Sequence, residues 1–285
     1  MTTSKRGIVL KSPRELALMR EAGKINARAL AAALEVVRPG VTTAEVNRAA
    51  AEVLKKSGSV PAFVGVPGAY PYPAETTISI NDELVHGIPG DRRLEDGDIV
   101  SIDCGTVHDG FVADSALTVG VGEIAEEAHK LLRITREALF AGIKKMIPGN
   151  STGDVSEAIQ AHVEGNGFHV VREYTGHGVG RSMHEEPQVP NYGRKGRGVP
   201  LKPGMTIALE PMVMSGSFET RILSDQWTVA SKDGRLTAHF EHSIAVTENG
   251  PWILTAMDEE LDEGEWIRYN NYFAGRVDPA VAVKE

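Results

Sequence analysis

Through residues 12–34, "SPRELALMREAGKINARALAAAL", apolar side chains return every three or four positions, the period of one buried helix face. Ser12, Pro13 and Glu15 stand ahead of the run in capping order, so the spacing predicts a helix that starts there. Pro39 and Gly40 stop it, and Thr42 or Thr43 caps a second helix running to about Lys56. The same pair of patterns returns later as "AEEAHKLLRITREALFAGIKKM" followed by "IPGNSTGDVSEAIQAHVEGNG".

The return keeps register. At a constant separation of 109 positions, Pro39 matches Pro148, Gly40 matches Gly149, Thr43 matches Thr152, Val46 matches Val155, Ala49 matches Ala158 and Gly58 matches Gly167. Ile25, Ala29, Leu30 and Ala32 recur as Ile134, Ala138, Leu139 and Ala141. Self-similarity of this kind predicts a duplication, with halves at about 12–122 and 123–255. Each helix pair precedes strand-rich stretches, which predicts an α+β domain over 12–255 with an antiparallel sheet and helices on one face. Residues 1–11 form an N-terminal arm and 256–285 a C-terminal extension on this division. Halves related by a pseudo-two-fold axis meet along a central line, where a shared site is expected.

Strand alternation places acids on that line. In "IVSIDCGTVHDGFVADSALTVG", Asp109-Gly110 is a tight-turn pair between alternating apolar runs, so a hairpin is predicted. With those two residues as the loop, His108 faces Phe111, Gly105 faces Asp114, and Asp103 lies diagonally from Asp114 on one face. Diagonal neighbours stand roughly 7–8 Å apart at the backbone, close enough for two carboxylates to repel unless a cation lies between them. Cys104 points to the opposite face, as a small apolar core residue. Glu210 in "MTIALEPMV" and Glu241 in "HFEHSIAV" form a second pair in otherwise apolar runs, where an ionised carboxylate is costly unless paired or metal-bound. Four carboxylates and the imidazole of His177 suit divalent Mn, Fe, Co or Zn, and four negative charges neutralise two such ions. Two metals able to activate one water make hydrolysis the expected reaction class.

Composition narrows the partners. A formal net charge of −9 argues against a surface built to grip DNA or an anionic membrane, although a local basic patch is compatible with it. Cys104 is the single cysteine, so no intrachain disulfide or multi-cysteine zinc site can form, and a reducing cytoplasm is expected. No stretch approaches the roughly 20 apolar residues of a membrane span.

The segments "SIDCGTVHDGFVADSA", "YTGHGVGRSMHEEPQV", "LKPGMTIALEPMV" and "HFEHSIAVT" resemble, in order and spacing, the signatures of type I methionine aminopeptidases. The resemblance covers about residues 12–255. It implies a duplicated pita-bread fold with its pseudo-two-fold axis through a dinuclear metal site. It implies five ligands, Asp103, Asp114, His177, Glu210 and Glu241, with Asp114 and Glu241 bridging two divalent ions. His184 would stabilise the tetrahedral intermediate, and His86, in "NDELVHGIP", would contact the substrate amide near the leaving group. Glu210 would also shuttle a proton during attack of a metal-bridging hydroxide. The glycines around His177 would let the backbone pass close to bound peptide. The methionine pocket would be formed by Phe63, Tyr72, Thr77, Met183 and Trp227, and a monovalent cation would sit near Asn81 and Thr237. The implied activity is removal of the initiator methionine from nascent chains with a small second residue, by a cytoplasmic monomer that touches the ribosome transiently.

The chain departs from the family pattern in places. Thr77 stands where the family often has cysteine, Met183 where it has phenylalanine, Gly105 where many relatives carry threonine, Val66 near a usual tyrosine, and "GVPGAYPYP" is longer than usual. Two other functions fit the same residues less well: a pita-bread peptidase cutting beside proline, and an inactive ribosome-associated binding protein, which would be expected to have lost ligands. "GHGVG" lacks the GxGxxG spacing of a dinucleotide site. His108, His129, His162, His169 and His239 are expected near turns or on helix faces, solvated or locally hydrogen-bonded, while alternation turns His242 away from Glu241. "GRKGRG", residues 193–198, is expected as an exposed basic loop, the place where a ribosomal contact would form. The tail reads in two ways: its acidic start suits a solvated linker, while Trp266, Tyr269, Tyr272 and Phe273 suit packing on the body or on a second subunit.

Overall fold

The first two helices carry the capping predicted for them, the third begins after Ala125 without a side-chain cap, and the second and fourth are copies of each other in outline. The structure, a computed structural model, describes residues 2–3 and 7–257. Helix α1 spans Pro13–Val36, α2 Thr43–Lys56, α3 Glu126–Ile143 and α4 Thr152–Gly165. Both α2 and α4 are 14 residues long, and their first residues are 109 positions apart, as are their last. Glu45 accepts from the N–H and hydroxyl of Thr42, and Asp154 accepts likewise from Ser151, so each copy closes a capping box. Gly40 and Gly149 precede the two caps at φ of +87° and +95°, a conformation that favours glycine. The tail aromatics Trp266, Tyr269, Tyr272 and Phe273 lie outside the described residues.

All described strand pairs are antiparallel. In the first half, Ile99–His108 and Phe111–Gly120 form the hairpin, with Asp109 and Gly110 at φ of +48° and +75°, as a type I′ turn requires. Gly105 pairs with Asp114 and Asp103 with Ala116, which is the diagonal arrangement read from the sequence. Thr76–Ile80 lies along the other edge of Ile99–His108. Val100, Ile102, Cys104, Leu117 and Val119 point to one face and pack with Leu30, Ala33 and Leu34 of α1 in the main core. Ser101, Asp103, Asp114 and Thr118 occupy the other face.

In the second half, a five-stranded sheet runs in the order Glu185–Pro190, Thr175–Gly178, Thr206–Leu209, His242–Thr247, Gly250–Ile253. A three-stranded sheet runs Thr237–His239, Met212–Met214, His169–Val170. Glu210 with Pro211, and Phe240 with Glu241, sit in the short breaks between those two sheets. The halves meet along one seam. The Glu241 N–H donates to the Ala116 carbonyl at 2.8 Å, and the Ala116 N–H returns to the Glu241 carbonyl at 3.4 Å. Asp114 and Ser243, and Thr118 and His239, are paired in the same way through the Ser243 and Thr118 hydroxyls.

Asn26 of α1 joins helix to hairpin. Fully buried, it donates to the Thr106 hydroxyl (3.2 Å) and to the Cys104 and Ala113 carbonyls, and accepts from Ser115. Asn26→Ala strands several of these groups in the core. It is expected to cost about 3 kcal/mol, or roughly 6–12 °C in Tm for a chain of this size, measured by thermal denaturation.

The basic loop can be placed directly, as can His108, which bonds to Ser59 Oγ at 2.9 Å, and His162, whose Nε2 lies 3.1 Å from Glu137 Oε2. The 193–198 loop is exposed at Arg194, Lys195 and Arg197, and the Arg197 carbonyl accepts from the Gly153 N–H at the start of α4. Among the described residues no helix is long and apolar enough to cross a membrane.

Candidate functional site

The seam gathers the acids. Asp103, Asp114 and Glu241 are buried, Glu210 is nearly so, and all four line one cavity of about 210 Å³ together with His177. Asp114, His177 and Glu241 each bring one donor atom within 4.8 Å of the others, and Glu210, His239 and Glu241 do the same. Glu241 belongs to both groups, so it stands between them. His177 Nε2 lies 3.5 Å from Glu210 Oε1. Its Nδ1 donates to the Gly178 carbonyl at 2.9 Å, which leaves Nε2 as the nitrogen with the free lone pair.

The electrostatics of this group are those of a cation site without its charge balance. Burial first, then the neighbouring Asp114 and Glu210, holds the Asp103 carboxyl well above the usual range. Burial and then Asp114 raise Glu210, and burial followed by Asp114, Glu210 and Asp103 raises Glu241. Burial pushes Asp114 up to about 7. Asp103 Oδ1, Asp114 Oδ1 and Glu241 Oε1 are buried with no hydrogen-bond partner. Buried polar atoms are rarely left in that state, and hard oxygen donors around an imidazole suit divalent ions, so the residues present fit the metals that the sequence resemblance implies.

Two further histidines face the same cavity. His86 follows the strand Glu83–Val85 at φ +63°, a left-handed conformation that is strained for a side-chain-bearing residue. Gly87 holds it there: its carbonyl accepts from the Ile78 N–H at 2.8 Å and from the Tyr72 hydroxyl at 2.9 Å. Burial, and then His184, lowers His86 to about 4, and burial lowers His184 as well, so both rings are neutral near pH 7. His184 is at the mouth, its ring 4.4 Å from that of His177.

The expected pocket residues Phe63, Tyr72, Thr77, Met183 and Trp227 all line the cavity. Tyr72 stacks edge-on against Trp227 at 5.1 Å and against Phe63 at 6.5 Å. Two loops from opposite halves lock Trp227 in place: its Nε1 donates to the Tyr70 carbonyl, and the Tyr70 hydroxyl donates to the Asp225 carbonyl. A Cβ on Gly68 would come within 2.4 Å of Trp227 Cζ2. Gly68→Ala should therefore displace the indole and raise KM for a methionyl peptide several-fold while kcat changes little, since no group at the acids moves; steady-state kinetics on Met-Ala-Ser would check this. A Cβ on Gly105 would meet Met183 Cε at 2.6 Å, so Met183 occupies the space beside Gly105.

Two expectations change. His239 was expected to be solvated or locally bonded near a turn. It is 2% exposed, lines the cavity, and its Nε2 lies 3.4 Å from Glu210 Oε2 and 3.9 Å from Glu241 Oε2. Burial, and then His86, lowers it to about 3, so it is neutral. The sequence signal was present: His239 and Glu241 are two positions apart in a strand-like run, and alternation puts them on one side. His242, on the other side, is buried against Thr255 Oγ1 at 2.8 Å. The glycines around His177 were expected to admit substrate, but they admit strands and side chains. A Cβ on Gly176 would meet the Ala208 carbonyl at 2.7 Å, on Gly178 the Glu186 carbonyl at 2.4 Å, and on Gly180 Glu185 Oε1 and Lys11 Cε at 2.5 Å. Val66, Val85, Tyr174, Thr175 and Met212 complete the lining. Asn81 and Thr237 do come together, the Thr237 N–H donating to the Asn81 carbonyl at 2.9 Å.

Comparison with known proteins extends the picture beyond the site. The sequence pattern of metallopeptidase family M24 matches residues 17–248. A methionine aminopeptidase of Clostridium perfringens is 52% identical over 248 residues, covering 87% of this chain and 98% of that protein. Methionine aminopeptidase 1 of Bacillus subtilis is 48% identical, over 87% of this chain and 99% of its own length. The crystal structure of methionine aminopeptidase from Thermotoga maritima superposes with a TM-score of 0.85 at 47% identity, covering 87% of this chain and 99% of that one.

Proposed function

The chain belongs to metallopeptidase family M24, and on that footing we propose that it releases the N-terminal methionine of newly made chains whose second residue is small. It is a metal-dependent exopeptidase with the pita-bread fold. The observation that carries the reading is the meeting of four carboxylates and His177 inside a cavity walled by Phe63, Tyr72, Met183 and Trp227. An apolar wall accepts a thioether, and the acids beyond it attract an α-ammonium group, which an internal peptide bond lacks.

Asp103, Asp114, His177, Glu210 and Glu241 would hold two divalent ions, of Mn, Fe, Co or Zn, whose charge would acidify a water molecule and polarise the scissile carbonyl. The side chains do the remaining work. Glu210 would take the proton released by the attacking water and deliver it to the departing amine, lining the same cavity as His177 and the other acids. His184, neutral and at the mouth, donates a hydrogen bond to the carbonyl oxygen as charge develops there. His86, fixed by its backbone, orients the amide on the leaving side. Tyr174, whose ring lies 6.0 Å from that of His86, lines the same cavity. We place the activity in the cytoplasm, in a monomer that touches the ribosome transiently through the 193–198 loop.

The test is methionine release from Met-Ala-Ser, Met-Leu-Ser and an Ala-Pro-Ser control, after metal stripping and graded addition of Mn, Fe, Co or Zn. Metal-dependent cleavage of the first peptide, weak cleavage of the second and none of the third is expected. Cleavage of the proline peptide alone would transfer the assignment to a proline-specific peptidase, and failure to bind metal would leave a binding protein.

A further inference from the structure

We propose that His239 is a sixth protein donor of the metal centre, adding an imidazole nitrogen beside Glu210 and Glu241. The inference rests on the dinuclear reading above and goes beyond its five ligands.

His239 ends the strand Thr237–His239, directly opposite Met212, and its backbone is held twice by Thr118: its N–H donates to Thr118 Oγ1 at 2.8 Å and its carbonyl accepts from that hydroxyl at 2.9 Å. The ring is 2% exposed, and Nε2 has no hydrogen-bond partner. Burying a polar nitrogen without a partner is unfavourable, so a ring held in this way calls for a ligand. Its neighbours are Glu210 Oε2 at 3.4 Å and Glu241 Oε2 at 3.9 Å. Donors that share an ion at roughly 2.0–2.2 Å lie about 3–4 Å from one another, which both distances satisfy.

The pattern is also repeated. Glu210 presents Oε1 to His177 Nε2 and Oε2 to His239 Nε2, at 3.5 and 3.4 Å. Asp114, His177 and Glu241 form one donor set and Glu210, His239 and Glu241 the other, with Glu241 common to both. Each set thus combines carboxylate oxygen with one imidazole nitrogen. Imidazole favours Zn or Fe over Mn relative to an all-oxygen set, so His239 is also a determinant of which metal the centre prefers. A ring serving only to brace Glu210 would leave metal preference and nitrogen coordination untouched.

Calorimetric titration of the stripped, full-length protein with Zn(II) and separately with Mn(II) tests this on wild type and His239→Gln. The variant should lose at least ~10-fold in affinity at one of two zinc positions, keep the other, and lose less for manganese. Pulsed electron paramagnetic resonance of the Mn(II)-loaded protein gives a second reading that does not depend on that variant folding: a histidine nitrogen coupling should survive in His177→Gln. Two zinc ions bound by His239→Gln as tightly as by wild type, or no nitrogen coupling in Mn(II)-loaded His177→Gln, would overturn the assignment of His239 alone. Absence of any metal binding by wild type would overturn it together with the metallopeptidase reading.

Discussion

Changing Glu241 to glutamine should silence methionine release from Met-Ala-Ser while raising the melting temperature of the metal-free protein. The two effects have one cause. Glu241 is 1% exposed and contributes to both donor sets, so loss of its charge should weaken both ions. Partners outside a metal's own ligands already cost 10–100-fold when removed, so the loss here should exceed ~100-fold in kcat/KM. Without metal the same carboxylate is a liability, because burial and then Asp114, Glu210 and Asp103 hold its pKa above the usual 4.5. Below about pH 4.5 it is protonated whether the chain is folded or not, and it costs nothing. As the pH rises toward and past its folded pKa, the folded protein must either keep a proton that the unfolded chain releases or bury a charge. The stabilisation by Glu241→Gln should therefore be absent near pH 4.5 and grow toward pH 8. Scanning fluorimetry of both stripped proteins across that range checks it, and a variant less stable than wild type at pH 8 would refute the account.

His184→Ala should separate chemistry from metal binding. The ring touches His177 but stands at the mouth, outside both donor groups. If its part is to donate to a developing oxyanion, its removal should lower kcat by ~10²–10³-fold, the scale seen for such donors, with KM changed little. Zinc stoichiometry and affinity by calorimetry should remain those of wild type. His177→Ala, in contrast, should lose an ion. A His184→Ala protein that also binds one ion fewer would make His184 a ligand and reassign the oxyanion role.

What the sequence made legible was local or periodic. Caps at Ser12 and Thr42, the Asp109-Gly110 turn and the diagonal placing of Asp103 and Asp114 follow from chain-neighbour chemistry and from a period of two. Resemblance to a family supplied the roles proposed for His86 and His184, which no spacing reveals. Taken alone, a histidine near a turn reads as solvated; the strand partner Met212 and the break at Phe240-Glu241 are what aim His239 inward. The glycines around His177 read as room for peptide, whereas the neighbouring strands carrying Glu186 and Ala208 fill that room. Gly105 and Met183 looked like two unrelated departures from the family pattern. In space they are one, since the methyl end of Met183 fills the place a Cβ on residue 105 would take.

The seam between the halves also fixes when the protein can begin to work. Asp114 is held by Ser243 across 129 residues of chain, and Glu241 by Ala116 across nearly as many. Contacts this distant in sequence form only after a large loop has closed. During synthesis the hairpin with Asp103 and Asp114 leaves the ribosome long before its partners exist, so two clustered acids wait without the groups that complete their site. Catalytic competence therefore arrives in one late step, once the strand beyond Glu241 has emerged, and a chain truncated before Ser243 should be inert however well its first half folds.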